Sequence, residues 1–137
     1  MNTGTRALTL LEVMIALAIA AVSLLTMIGV YLAGYQLGTR SRDVIVSTEL
    51  ATEILEATRD AGFDRIPSGT ATFDGRIPDA PDPVSGFPPS PFPEITLSGR
   101  TYPIMVEVAP QGPMKSVTVH VYYEEGRRVS LQTYFRP

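Results

Sequence analysis

The chain has 137 residues, a formal net charge of −3 and no cysteine. The lack of cysteine rules out a disulfide framework and thiolate metal sites. The small acid excess, without any basic block, gives no support for nucleic-acid binding. An apolar stretch occupies the N-terminal part, so about 100 residues remain, enough for one small core but not two.

Residues 1–7 form a short polar leader that contains Arg6. The run Thr9-Leu10-Leu11-Glu12-Val13 follows, and residues 13–33 carry no charge. Residues 13–37 are apolar all round and long enough to cross a bilayer. The stretch is too long for the apolar region of a secretory signal, and no Ala-x-Ala site ends it. A carboxylate at the start of such a span costs a few kcal/mol to insert. An ionisable group there points to function and needs a partner. No basic residue lies between Arg6 and Arg40. The expected partner of Glu12 is therefore outside the chain, or is an amino terminus made by cleavage nearby.

Residues 8–61 contain no proline, which predicts one long helix. Gly29, Gly34 and Gly38 fall near the membrane exit and fit either a loosened or kinked helix or close helix packing. Residues 8–37 read as the transmembrane half of the helix and residues 38–62 as its amphipathic half. Leu50, Ile54 and Ala57, flanked by Ala51, Leu55 and Thr58 and extended by Val46 and Ala61, make an apolar stripe. Glu49, Glu53, Glu56 and Asp60 follow one acidic edge, read as a solvated face ahead of a contact with neighbouring molecules. Arg59 is spaced to pair with Glu56. Gly62 marks the helix stop.

Residues 63–94 read as a proline-rich loop holding eight of the chain's 12 prolines. Proline fixes φ and removes a donor, so no regular helix or central strand is expected there. Phe73, Phe87 and Phe92 suggest a loop pinned onto the fold. Residues 95–137 read as an antiparallel meander. Ile104, Val106 and Val108 alternate, then Val117, Val119 and Val121, then Val129, Leu131 and Thr133 with Phe135 continuing. Pro110, Gly112 and Pro113 mark one turn, and Glu124-Glu125-Gly126-Arg127 the next. The expected fold is α+β: a long helix whose amphipathic half covers a sheet of three or four antiparallel strands.

The Thr-Leu-Leu-Glu-Val block, with its short basic leader and the apolar run behind it, resembles the class III signal of type IV pilins and pseudopilins. The resemblance implies a type IV pilin-like fold and cleavage by a prepilin peptidase between Ala7 and Leu8. It further implies N-methylation of Leu8 and an assembly salt bridge made by Glu12. The family's usual residue before the cut is Gly, here Ala7; its usual first mature residue is Phe or Met, here Leu8. The segments 50–56, 62–64, 116–121 and 128–134 are similar to the type IV pilus modification subgroup of minor pilins. The I-type minor pseudopilins of type II secretion share the start motif.

No catalytic set is evident, and no enzyme activity or cofactor is expected. His120 is the single histidine. It falls on the polar face of a valine-alternating strand and is expected to point to solvent. Ser116 and Ser130 have no His and Asp partners at a recognisable spacing. Asp74, Asp79 and Asp82 with Gly75 offer oxygen ligands for calcium, but Asp with Pro and Gly is ordinary turn chemistry, and no metal is expected. Tyr122, Tyr123 and Tyr134, with only Arg127, Arg128 and Arg136 nearby, do not make a single-strand DNA platform.

The expectation is a minor type IV pilin, or alternatively a minor pseudopilin of type II secretion. It would sit in the bacterial inner membrane as a single-pass protein with a periplasmic C-terminal domain, and pass from there into a filament. Its partners would be lipid, the prepilin peptidase, the inner-membrane assembly platform and other pilins or pseudopilins. Two rivals stand beside this: a membrane-anchored tip adhesin that binds through the proline-rich loop, and an ordinary single-pass protein with an incidental Glu12.

Overall fold

The structure, a computed structural model, describes residues 9–77 and 86–137. The chain divides into two units, Met1–Arg40 and Ser41–Pro137. A single helix, α1 (Leu10–Ala61), supplies the described part of the first and opens the second. It is continuous through Gly29, Gly34 and Gly38. Gly62, at φ 92°, ends it, a backbone angle that side chains rarely adopt. A 3-10 turn, Phe63–Arg65, follows.

Five strands complete the second unit: β1 (Ala71–Asp74), β2 (Glu94–Leu97), β3 (Arg100–Gln111), β4 (Met114–Glu124) and β5 (Arg127–Phe135). All pairings are antiparallel, in the order β1-β3-β4-β5, with β2 also on β3. The three long strands are those that alternation marked, and their valines meet in register: Val106 opposite Val119, Val108 opposite Val117, Val119 opposite Leu131. The sheet has one more strand than the upper expectation. The extra pieces are four-residue edge strands, and β1 lies inside the stretch assigned to loop. Proline does not forbid it, because residues 71–74 contain none and pair on one side only.

The core lies between α1 and the sheet. Leu50, Ala51 and Ile54 join Ile104, Val106, Val108, Val117, Val119 and Val121 in one buried cluster. Phe73, Phe87 and Phe92 pin the proline-rich segment to it, with Phe73 edge-on to Phe87 at 5.5 Å and to Phe92 at 6.3 Å. The helix face that packs reads Asp43, Ser47, Leu50, Ala51, Ile54 and Thr58. Its centre is the expected stripe. Its ends are polar, and Ala57 is only half-buried. Glu49, Glu53, Glu56 and Asp60 are exposed, as a solvated edge requires. Glu56 and Arg59 form no ion pair among the described residues.

Polar groups close the two ends of this layer. Asp43 is buried and bonded by Arg100 and by the Tyr102 hydroxyl, the latter at 3.2 Å. The hydrogen bond and charge of Asp43 raise the Arg100 pKa; burial first, then Asp43, raises that of Tyr102. At the other end, Lys115 Nζ donates to the carbonyls of Phe63 at 3.0 Å and Ile66 at 2.6 Å. It also lies 4.1 Å from the centre of the Phe63 ring. The Phe63 carbonyl also accepts from the Ile66 N–H, so Lys115 adds a second donor there and ties β4 to the turn that follows α1.

Candidate functional site: an exposed apolar helix opened by one carboxylate

Residues 10–37 of α1 form a wholly exposed apolar surface. Leu10, Met27, Tyr31 and Leu37 are 80, 73, 72 and 66% exposed, and no residue of the apolar window is buried. This is the one described helix long and apolar enough to cross a membrane. Such a surface is unfavourable in water and is consistent with a membrane anchor. Ser23 and Thr26 do not interrupt it, because their hydroxyls donate to the carbonyls of Ile19 and Val22, each at 2.8 Å.

Glu12 stands at the mouth of this surface. Its Oε2 accepts from the Thr9 backbone N–H at 2.9 Å and from the Thr9 hydroxyl at 2.9 Å. The Glu12 N–H donates back to Thr9 Oγ1 at 3.3 Å, and Val13 N–H makes the first helical bond to the Thr9 carbonyl. This is a reciprocal capping box: a hydroxyl residue and a glutamate three positions later satisfy donors that a helix start otherwise orphans. One carboxylate oxygen is thus engaged locally by neutral Thr9 donors, and no basic group pairs with Glu12 among the described residues. The Thr-x-x-Glu spacing carried that signal. Among the described residues, Glu12 Oε1 accepts no hydrogen bond. Ala7 and Leu8 lie outside the described residues.

The outer face of the sheet holds the other residues that chemistry singles out. His120 is 6% exposed, contrary to the solvent-facing expectation. Its face is the polar one, but β4 is an inner strand, and Met105 and Ser130 stand directly opposite His120 on its two neighbours. Its Nδ1 is 2.6 Å from Ser130 Oγ, and its Nε2 is 3.4 Å from Glu107 Oε2. Strand register thus brings Ser130 a histidine partner that chain spacing concealed. The row ties three strands together, with the serine on Nδ1 and the acid on Nε2. Ser116 instead donates to the Ala109 carbonyl at 3.0 Å.

Asp74 is held by Arg76, not left open for calcium. Its Oδ2 accepts from Nη2 at 2.6 Å and its Oδ1 from Nε at 2.8 Å. These hydrogen bonds hold the Asp74 carboxyl below its usual range, and they raise the Arg76 pKa. Gly75 has a packing reason: a side chain there would collide with the carbonyls of Pro93 and Ile104. Asp79 and Asp82 lie outside the described residues, and no metal-ligand cluster occurs among the described ones. Arg76 lies 4.4 Å from the centre of the Tyr122 ring, beside an open groove of about 440 Å³ lined also by Thr101, Pro103, Tyr123 and Glu124. No family model, curated protein or solved structure matches the chain.

Proposed function

We infer that the chain is a membrane-anchored subunit of the pilin class, a minor pilin or minor pseudopilin, whose work is assembly rather than catalysis. The observation that carries the reading is a fully exposed apolar helix opened by one carboxylate. The helix-on-sheet second unit agrees with the fold that the start motif implies. Before assembly, lipid of the bacterial inner membrane covers residues 10–37, with the leader cytoplasmic and the second unit periplasmic. The prepilin peptidase cuts between Ala7 and Leu8, and Leu8 is methylated. The assembly platform then draws the subunit into a filament, where apolar helices of other pilins or pseudopilins replace lipid. There a neighbour's new amine pairs with Glu12 in a low-dielectric layer, which strengthens the pair and sets the register between subunits.

Mass spectrometry of assembled material from the native host tests this. The expected N-terminus is Leu8 carrying one methyl group. An intact Met1 in the assembled material overturns the reading.

A further inference from the structure

One end of the sheet carries a surface to which the proposed function assigns no role. Arg42 Nη2 lies 3.4 Å from Ser98 Oγ, and Arg100 is ion-paired with Asp43. The β2–β3 turn therefore stands beside the opening turn of the second unit's helix. Leu97 at the turn and Val44 and Ile45 on the helix are 38, 41 and 57% exposed. In this unit the other large apolar side chains so exposed, among the described residues, are Ile77 and Tyr134. Apolar exposure thus concentrates at this end, interleaved with guanidinium groups.

Charge and chain length identify the occupant. Arg42 and Arg100 outnumber the one acid that contacts them, the buried Asp43. The neighbouring β4–β5 turn adds Glu124 and Glu125 against Arg127 and Arg128, and so no net charge. Basic side chains among exposed aliphatic ones suit an anionic bilayer surface. Arg42 follows Leu37, the end of the apolar stretch, by five residues, a reach of at most about 17 Å in any conformation. With residues 13–37 in a bilayer, Arg42 cannot leave the vicinity of the headgroups.

We propose that Arg42, Arg100 and Leu97 form a headgroup contact that holds the second unit against anionic phospholipid. The planar guanidinium forks bind lipid phosphate oxygens, and Leu97 enters the boundary between headgroup and acyl chain. The contact rests on the membrane anchor of the proposed function and is independent of filament assembly. It would have to break when the subunit is extracted.

The absence of cysteine makes single-site labelling direct. Full-length Ser98→Cys and Val22→Cys chains are each given a nitroxide and reconstituted into vesicles of phosphatidylcholine, alone or with a third phosphatidylglycerol. In the anionic vesicles the Ser98 probe should lose about threefold in accessibility to a water-soluble nickel chelate, and high salt should restore it. Adding Arg42→Gln, which leaves the Asp43–Arg100 pair in place, should abolish the protection while the melting profile stays unchanged. Equal accessibility in both vesicles, or full protection in the Arg42→Gln chain, overturns the headgroup contact. The Val22 probe separates the two readings: sealed from nickel, it leaves the anchor standing when the contact fails. Open to nickel, it removes both.

Discussion

Asp74 and Arg76 sit two residues apart, and their link makes a property of the fold depend on pH. The unfolded Asp takes up a proton near pH 4, whereas in the fold the Arg76 hydrogen bonds lower that value. The stabilising contribution is therefore complete above about pH 4 and is lost as the pH falls through the folded value. Thermal melts between pH 5 and pH 2 should show the wild type losing stability more steeply than Asp74→Asn; those limits bracket the roughly pH 4 midpoint. Parallel acid slopes would mean that the pair adds nothing. Ser47 is the opposite case. It is fully buried, and among the described residues its hydroxyl has no hydrogen-bond partner. An unpaired buried hydroxyl costs free energy, so Ser47→Ala should be neutral or stabilising, by up to about 1 kcal/mol in a denaturant titration. Residue types did not disclose these roles. Asp43, Ser47 and His120 look like surface residues in the sequence because periodicity ranks them by polarity. Their burial follows from what strand register and the β2–β3 turn place over them.

Elements were more legible than residues. Absence of proline and the Gly62 stop bounded α1 within two residues at each end of its described length. Alternation located the three long strands, and the two turns fell where Gly112 and Gly126 stand. The short strands were hidden because four residues give alternation too little length, and because β1 is held by pairing with Val106 and Val108 of β3 rather than by its own pattern. The amphipathic half of α1 was read correctly at its centre, since Leu50 and Ile54 are 4% and 0% exposed. Ile54→Ala should lower the stability of the folded unit by about 2–5 kcal/mol, the range for a buried large-to-small truncation. A loss well below 1 kcal/mol, measured by chemical denaturation, would mean that the stripe does not cover the sheet.

At the scale of the whole chain, the two units face opposite physical demands. The second buries its own core, while the described helix of the first buries nothing. The chain's behaviour therefore turns on what covers residues 10–37, and Glu12 is where that cover must meet a charge. Two roles compete for this residue. As part of the capping box it starts the helix, and there Thr9 is equally necessary. As the assembly group it pairs with another subunit's amine, and there Thr9 is dispensable. Thr9→Val removes the hydroxyl from the box and leaves the carboxylate; Glu12→Gln keeps shape and removes the charge. If capping were the whole role, Thr9→Val would fail, while Glu12→Gln, whose amide oxygen still accepts from the Thr9 N–H, would assemble. The assembly reading expects both to insert in the membrane and to be cleaved near normally. It expects Thr9→Val to enter the filament or its priming complex, and Glu12→Gln to be largely excluded. Copurification with partner subunits from the native host measures this. Wild-type recovery of cleaved Glu12→Gln would end the salt-bridge assignment and leave the box as the function of the carboxylate.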